Sequence, residues 1–373
     1  MLVAICGGGT AGHVLPGLAL AAELRARDPE IDVVFTGSNR GVETDLVPSA
    51  GYRLEILPSR GLERRFSPLV FLALGSAIAG IFRAFFLLRR MRPDVAVGLG
   101  GYASFAPLVA AVLLGIPSVL HEQNVIPGLA NRVLARRAKK LAVSYRTTRR
   151  YFRNVPRVEV AGNPVRKKIL SHPARDEAAD KLSLNPRLPT VLVFGGSRGA
   201  KKVNEAVIAA WPLLAREEIN LIHISGSRDH EWVEERLAEA REKDHALEYR
   251  LYPYFEEMEL LYAVSDLVVS RAGATTIAEL TALGLPAVLV PYPYAAAGHQ
   301  LANARMLELG GGAKILPDAE LTGASLANTI LDLLFEEETL KRMARASREL
   351  GNRDAARRLA DIVVDLSASS RSA

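Results

Sequence analysis

The sequence predicts an α/β protein with two Rossmann-like domains, and three observations support this prediction. Short apolar runs rich in Val, Ile and Leu alternate with helical patterns along the chain, as buried parallel strands and their crossover helices do. The chain has 373 residues, 49% hydrophobic and 24% charged, which is enough for two cores. Each half opens with a strand, a glycine turn and a helix, in "VAICGGGTAGHVLPGLALAAEL" and "VLVFGGSRGAKKVNEAVIAA". Two such domains are expected to face a central crevice, with ligands at the carboxyl ends of their strands.

Ten strands can be assigned from the apolar runs. In the first half they are "LVAIC", "DVVFTG", "DVAVGLG", "PSVLHE" and "KLAVS". In the second half they are "TVLVFGG", "NLIHISG", "LEYRLY", "DLVVSRAG" and "PAVLVP". The segment between the two sets, "VEVAGNPVRKKILSHPARDEAADKLSLNPRLP", is polar and contains four prolines, which is typical of a connection between domains. We therefore predict a first domain over residues 1–164 and a second over residues 165–340.

The positive charge of the chain belongs to its first half. The net charge is +6, yet residues 1–170 hold 24 Lys and Arg against 11 Asp and Glu, so the remainder is acidic. Nucleic acid, an anionic membrane, a phosphorylated substrate or a solvated basic surface would each explain this asymmetry. Cys6 is the only cysteine, which excludes an intramolecular disulfide and a cysteine-based metal site. Because the apolar run Leu2 to Cys6 is too short for a signal sequence, we expect a cytoplasmic protein.

Residues 68–88 form an apolar stretch that carries a single charge, Arg83. Its length suffices to cross a bilayer of ~30 Å, but crossing would place strands of the first sheet on opposite sides of the membrane. We therefore favour a helix that packs on the sheet and docks its apolar outer face on an anionic membrane. A buried helix, a subunit contact and a true span remain alternatives. The cations expected to flank this face are Arg64, Arg65, Arg83, Arg89, Arg90 and Arg92.

The loop "GGGTAG", residues 7–12, joins a strand to a helix, so its N–H groups and the helix dipole predict an anion site. A dinucleotide site needs an acidic residue at the end of the second strand, where this chain has Thr36, Gly37 and Ser38. A dinucleotide is therefore disfavoured. His13 follows the loop, where the helix dipole keeps an imidazole neutral, and we predict that it is a general base. A capping or packing role is the alternative.

Three further glycine turns follow strands, in "GLGGYAS", "GGSRGA" and "SRAGATTIAEL". Turns at the same end of two sheets are expected to line one crevice. Glu279, in the last of them, is a candidate to bind a ribose diol, or else it complements the dipole of its own helix. No D-x-D motif occurs and no histidines stand at metal-ligand spacing, so we expect no metal and no cofactor. The chain also lacks the G-K-[ST] motif of P-loop NTPases.

A set of motifs in chain order resembles one enzyme family between residues 5 and 304. The motifs are "GGGTAGHVLPGLALA", "VGLGGYAS", "GIPSVLHEQNVIPGLANR", "VAGNPVR", "VLVFGGSRGA", "SRAGATTIAELTALGLPAVLVPYP" and "GHQLANA". They are similar to those of the peptidoglycan N-acetylglucosaminyltransferases that convert lipid I to lipid II. The resemblance implies the GT-B fold, with the acceptor on the first domain, UDP-N-acetylglucosamine mainly on the second, and a C-terminal helix in residues 341–373 that returns to the first.

The resemblance also implies a cellular context. The enzyme would be a peripheral protein on the cytoplasmic face of the cell membrane, with lipid I and an anionic membrane surface as partners and without nucleic acid. Cell-wall synthesis or division proteins would be further partners. The alternatives are another enzyme of the same fold, such as a UDP-sugar epimerase or a transferase for a soluble acceptor, and a non-catalytic membrane scaffold.

The site residues that the resemblance implies lie at matching positions of this chain. His13 would be the catalytic base, Asn124 and Gln300 would hold the donor sugar, and Glu279 would bind the ribose. The complete set of implied donor-binding residues is Thr10, Ala11, Gly12, Asn124, Arg166, Ser197, Phe255, Ala274, Thr275, Thr276, Ile277, Ala278, Glu279 and Gln300. Ala11 departs from the family, which usually has glycine there, and a positive φ at this residue would strain the loop.

Overall fold

The computed structural model describes residues 1–59, 69–155, 157–196, 199–240 and 246–371. The strands are β1 (Leu2–Cys6), β2 (Asp32–Gly37), β3 (Arg53–Ile56), β4 (Val95–Gly98), β5 (Ser118–Glu122), β6 (Lys140–Val143), β7 (Val158–Val160), β8 (Thr190–Phe194), β9 (Asn220–Ile224), β10 (Glu248–Tyr252), β11 (Leu267–Ser270), β12 (Ala287–Leu289) and β13 (Ala313–Ile315). The helices are α1 (Ala11–Arg27), α2 (Glu43–Ser49), α3 (Leu69–Met91), α4 (Tyr102–Leu113), α5 (Leu129–Leu134), α6 (Lys167–Leu170), α7 (Arg175–Leu182), α8 (Lys201–Leu214), α9 (His230–Ala240), α10 (Met258–Val264), α11 (Ala274–Leu283), α12 (His299–Leu309), α13 (Gly323–Phe335), α14 (Glu337–Leu350) and α15 (Ala355–Arg371). Short 3₁₀ turns cover Arg146–Phe152, Ala296–Gly298 and Asp318–Glu320.

The chain forms two compact units, each with its own parallel sheet. The first unit contains Met1–Arg166 and the chain from Arg353, and the second contains Lys167–Asn352. The strand order is β3-β2-β1-β4-β5-β6-β7 in the first sheet and β10-β9-β8-β11-β12-β13 in the second. The order reverses between β1 and β4, and again between β8 and β11, which are the positions where ligands bind in such sheets. The predicted α/β class with two Rossmann-like domains is confirmed.

All ten predicted strands are present, and the sequence analysis missed β3, β7 and β13. These three are short strands of 4, 3 and 3 residues, and each lies at the edge of its sheet. An edge strand keeps polar residues on its open side, as β3 does with Arg53 and Glu55. Such strands lack the continuous apolar run by which buried parallel strands are recognised.

The first strand explains why the central runs are apolar throughout. Val3 and Ile5 of β1 point into a core with α1 and α15, whereas Ala4 and Cys6 point into a second core with α3 and α4. Successive side chains of a strand alternate between the two faces of the sheet. Helices cover both faces of β1, so every residue from Val3 to Cys6 is buried.

The end of the chain completes the core of the first unit. Leu359, Ala360 and Val363 of α15 are buried with the side chains of α1. The guanidinium of Arg27 in α1 donates to the carboxylate of Asp361 at 2.7 Å. We grouped residues 341–352 with this returning segment in the sequence analysis, but they lie in α14 and in the loop after it, within the second unit. There α14 packs against α11, and the hydroxyl of Ser347 donates to Leu285 O at 3.0 Å.

Helix α3 presents an apolar face to solvent. Its inner face packs against α4, and Gly80 is required there because a Cβ would collide with Pro58 O. The opposite face carries Ile78, Phe82 and Phe86, which are 50%, 63% and 65% exposed. These residues are therefore not enclosed in the fold. Arg64, Arg65 and Pro68 of the predicted stretch lie outside the described residues. Within the described part of the chain, no helix combines the length and apolarity needed to cross a membrane.

We expect Leu359→Ala to destabilise the first unit by about 2–5 kcal/mol, because it leaves a cavity between α15 and the sheet. The measurement is urea-induced unfolding monitored by far-UV circular dichroism. Leu309→Ala is the control, since Leu309 lies in the second unit and is 88% exposed. Equal midpoints for the two variants would contradict a core position for α15.

Candidate active site

Two loops meet where the strand order of the first sheet reverses. β1 and β4 are hydrogen-bonded neighbours, so the loops that leave their carboxyl ends lie side by side. The first loop leads through Thr10, the N-cap of α1, and the second leads through Gly101, the N-cap of α4. His13 lies in the first turn of α1 and therefore points from one loop toward the other.

The second glycine turn makes room for the His13 ring. Gly100 and Gly101 have φ values of +78° and +75°, which side chains rarely adopt. A Cβ on Gly101 would lie 3.0 Å from Cδ2 and 3.2 Å from Nε2 of His13. The glycines of "GLGGYAS" are therefore required both by the backbone and by the imidazole packed on them.

The ring of His13 is held in its neutral form. Burial among the two loops lowers the pKa of His13 below its ordinary value of 6.5, although the carboxylates of Glu122 and Glu43 partly oppose this effect. Part of the residue nevertheless reaches the surface. A neutral imidazole in a partly exposed residue is able to accept a proton at pH 7.

The "HEQN" segment, at the end of β5, forms buried hydrogen bonds next to His13. Nε2 of His121 donates to Gly162 O at 2.8 Å, and its Nδ1 accepts from the side-chain amide of Gln123 at 3.1 Å. The same amide nitrogen donates to Leu99 O at 2.8 Å. Burial lowers the pKa of His121 to about 4, so this ring is neutral and structural. Gln123 thereby joins the end of β5 to the loop after β4.

Glu122 organises the turn that contains Asn124. Its buried carboxylate accepts from the backbone N–H of Asn124 at 2.9 Å, from that of Gly128 at 3.0 Å and from the amide of Asn131 at 2.8 Å. The Asn124 amide also reaches Glu122 at 3.3 Å. The structure thus brings Asn124 to the same edge of the sheet as His13, whereas the sequence analysis overlooked Glu122 and Asn131.

Glu43 is the most important residue that sequence reasoning missed in this unit. It is fully buried, and its Oε2 accepts from the Gly9 N–H at 2.7 Å. Its Oε1 accepts from the N–H and the hydroxyl of Ser38 at 2.9 and 2.7 Å. The predicted anion site in the loop is therefore filled, at Gly9, by a carboxylate of the protein. The only signal was an acidic residue six positions after the end of the second predicted strand.

The remaining residues of the first loop have ordinary backbone geometry. Thr10 is extended, with φ −142° and ψ 155°, and its side chain forms no cap with a described residue. Ala11 begins α1 and has a negative φ, so its methyl group causes no backbone strain. Gly12 follows within the helix. The N–H groups of this first turn point toward the carboxyl edge of the sheet, as an anion site requires.

The second unit has a comparable pair of loops, after β8 and β11. α11 begins after Gly273, which has no side chain with which to cap the helix. The five predicted residues from Ala274 to Ala278 form its first turns. Glu279 is buried there and accepts from the Tyr262 hydroxyl at 2.9 Å. Ser197, like its neighbour Arg198, lies outside the described residues.

Three other predicted residues lie at loops or helix starts. Phe255 follows β10, with its ring edge-on to Tyr252 at a centroid separation of 4.8 Å. Gln300 is the second residue of α12, and its Oε1 accepts from the Tyr292 N–H at 2.8 Å. Its amide nitrogen is therefore the group suited to donate to a ligand. Arg166 directly precedes α6 and ends the first stretch of the first unit.

A buried network that the sequence analysis overlooked joins α8 to β9 and to the loop after β9. Asn204 donates to Ser225 O at 2.9 Å and to Asp229 at 3.0 Å, and it accepts from His223 at 3.0 Å. The other ring nitrogen of His223 accepts from the Tyr249 hydroxyl at 2.8 Å. Burial lowers the pKa of His223 to about 3, so it is a neutral packing residue. Within the described residues, no group of three His, Cys, Asp or Glu is suited to hold a metal ion.

Comparison with known proteins identifies both halves of the chain. Residues 3–143 match the glycosyltransferase family 28 N-terminal domain, and residues 190–359 match the glycosyltransferase family 28 C-terminal domain. A crystal structure of MurG from Acinetobacter baumannii superimposes with a TM-score of 0.73 at 29% identity, covering 98% of this chain and 99% of that one. A UDP-GlcNAc 2-epimerase from Neisseria meningitidis shares the fold, with a TM-score of 0.67 at 13% identity, over 98% of this chain and 99% of that one.

Two curated relatives match nearly the whole chain. Both are named UDP-N-acetylglucosamine--N-acetylmuramyl-(pentapeptide) pyrophosphoryl-undecaprenol N-acetylglucosamine transferase. The protein of Halothermothrix orenii is 40% identical over 98% of this chain and 99% of its own length. The protein of Chlorobaculum parvum is 42% identical over 99% of this chain and 100% of its own length. The chain therefore belongs to glycosyltransferase family 28, and within it to the GT-B N-acetylglucosaminyltransferases of peptidoglycan synthesis.

Proposed function

We propose that His13 is the general base in the transfer of N-acetylglucosamine from UDP-N-acetylglucosamine to undecaprenyl-pyrophosphoryl-MurNAc-pentapeptide. The substrates follow from the names of the relatives and from family membership. The observation that supports the base is a neutral imidazole that packs between two glycine loops at the strand-order reversal. The product is lipid II, the disaccharide-bearing form of lipid I.

The reaction inverts the donor's anomeric carbon. His13 takes the proton of the 4-hydroxyl of MurNAc, the hydroxyl oxygen bonds to the anomeric carbon, and the bond from that carbon to UDP breaks. A sugar hydroxyl is a poor nucleophile, so a positioned base accelerates this step by roughly 10²–10⁴-fold. The carboxylates of Glu122 and Glu43 favour the imidazolium that forms, since both raise the pKa of His13.

The donor binds mainly through residues of the second unit. The first turn of α11, from Ala274 to Ala278, offers backbone N–H groups to the diphosphate, and Arg166 contributes a positive charge to departing UDP. Tyr262 holds the carboxylate of Glu279 in place for the ribose hydroxyls. The backbone at Phe255 meets the uracil, Ser197 contacts UDP, and Gln300 binds the sugar. Asn124 and the loop of Thr10, Ala11 and Gly12 complete the donor contacts from the first unit.

One layer of the first unit docks on the cytoplasmic face of the cell membrane. The helices α3, α4 and α5 and the 3₁₀ turn Arg146–Phe152 all pack on the same face of the sheet. Between residues 75 and 155 the only acidic residues are Asp94, which accepts from the Leu2 N–H at 2.7 Å, and buried Glu122. The exposed apolar residues of α3 thus lie on a surface whose charges are positive, as docking on anionic lipid requires. Cell-wall synthesis or division proteins would meet the enzyme at this membrane.

We expect His13→Ala to lower kcat by roughly 10²–10⁴-fold, because it removes the base. The assay is transfer of labelled N-acetylglucosamine from UDP-N-acetylglucosamine to a lipid I analogue. The dissociation constant of UDP-N-acetylglucosamine should stay within about twofold of wild type. His172→Ala, at an exposed histidine of the second unit, is the matched control and should leave both constants unchanged. Equal losses in turnover and donor affinity would refute the base.

The pH dependence of kcat/KM provides a separate prediction. The neutral form of His13 is the active one, and burial holds its pKa below 6.5. The acidic limb of the profile, where the ring becomes protonated, should therefore have its midpoint below pH 6.5. An acidic limb with its midpoint above 6.5 would contradict the neutral imidazole described here.

We expect Phe82→Ser combined with Phe86→Ser to reduce sedimentation with anionic phospholipid vesicles at least tenfold, since two exposed aromatic anchors are lost. Transfer to a water-soluble acceptor should be unchanged. The matched control is Leu309→Ser, which removes an exposed apolar side chain from the second unit. Undiminished vesicle binding by the double variant would exclude α3 as the docking face.

A further inference from the structure

The carboxylate of Glu43 lies at the centre of the first glycine loop. Its two oxygens accept three hydrogen bonds, one from Gly9 and two from Ser38, with distances of 2.7 to 2.9 Å. The residue is fully buried at the start of α2, so no water replaces these bonds. A buried carboxylate with this many donors is a strongly directional contact, because charge-assisted hydrogen bonds are about twice as strong as neutral ones.

Glycines from two segments leave the space that this carboxylate fills. A Cβ on Gly8 or on Gly41 would overlap the carboxyl group, and a Cβ on Gly37 would lie 2.7 Å from Cγ of Glu43. Any side chain at these positions would displace Glu43 from the Gly9 N–H. The run of glycines in "GGGTAG" is therefore explained, at Gly8, by a protein carboxylate and not by a ligand phosphate.

Glu43 also determines where an anionic ligand is able to bind. The N–H of Gly9 is already bonded, and the negative charge beside it disfavours a phosphate at that point. The N–H groups at the start of α1 are the part of the loop left for an anion. The loop thus keeps its shape without a ligand, which places His13 before substrate arrives.

We infer that Glu43 is the positioning residue of the first glycine loop, which it holds through Gly9 and Ser38 in the shape that directs His13 at the acceptor hydroxyl. This inference rests on the proposed role of His13 as the base. A misplacement of about 1 Å at a reacting group costs on the order of 10²-fold in rate. Glu43 itself touches no reacting atom.

The test is Glu43→Gln, which preserves the size of the side chain. A glutamine oxygen can accept from Gly9 or from Ser38, but its NH₂ group then faces the other donor, so one side of the loop is released. We expect kcat to fall at least tenfold while the KM for UDP-N-acetylglucosamine stays within twofold. Hydrogen exchange of the backbone amides of residues 7–12, measured by mass spectrometry, should accelerate at least tenfold. Asp45→Asn, an exposed carboxylate of α2, is the matched control and should change neither quantity.

The pH profile offers a readout that simple loss of packing does not move. The groups that face His13 are Glu43, Glu122 and His121, together with Tyr102, whose ring packs on Gly9. Removing the negative charge of Glu43 leaves Glu122 as the only carboxylate among the described residues that raises the pKa of His13. The acidic limb of kcat/KM should therefore move to lower pH in Glu43→Gln and stay in place in Asp45→Asn.

Ser38→Ala keeps the test decisive if Glu43→Gln does not fold. It removes only the hydroxyl that donates to Oε1, and we expect a loss of kcat of a few fold with a smaller acceleration of loop exchange. If the backbone amides of residues 7–12 exchange in Glu43→Gln at the same rate as in the wild type, the inference is overturned, whether or not turnover falls. A fully active His13→Ala together with faster loop exchange in Glu43→Gln would refute the base but leave the positioning of the loop by Glu43 intact.

Discussion

The hydrogen-bonded pairing of β1 with β2 on one side and β4 on the other is the constraint on which the first unit depends. It makes β1 central, so that helices cover both of its faces, and it brings the loops after β1, β2 and β4 to a single edge. His13, Glu43 and the Gly100–Gly101 turn come from these three loops. Their contacts are consequences of strand order, because no two of them are close in sequence.

The site in this unit is made of ionisable groups removed from water. Glu43 and Glu122 keep their carboxylates buried by accepting N–H and hydroxyl donors, whereas His121 remains neutral between a carbonyl and an amide. Burying a charge without such partners costs several kcal/mol. The surrounding loops are therefore restricted to one conformation, since any other would leave a buried carboxylate without hydrogen-bond donors. This rigidity is what allows a single histidine to be directed at a sugar hydroxyl.

The sequence predicted the parts of the fold that have a local signal. Apolar runs marked the buried strands. Glycine turns marked the carboxyl edge of each sheet, where His13 and Asn124 lie in the first unit and Glu279 lies in the second. β3, β7 and β13 were missed because edge strands mix polar and apolar residues. Glu43, Gln123 and Asn204 were missed for another reason: their roles depend on partners 34, 24 and 21 residues away, and nothing in the adjacent sequence indicates those partners. The sequence analysis also assigned residues 341–352 to the same segment as the last helix. It did not separate α14, which packs on α11 in the second unit, from α15, which packs on α1 in the first.

The contribution of α15 to the first core affects how the protein is made. The sheet of this unit and α1 are synthesised more than 180 residues before α15 leaves the ribosome, because the whole second unit is translated in between. Until then, the groove beside α1 that Leu359 and Val363 later fill is exposed on the nascent chain. The second unit, which is continuous in sequence, has no such delay. The first unit is therefore able to close its core only after α15 has been synthesised, although its strands are translated before the second unit.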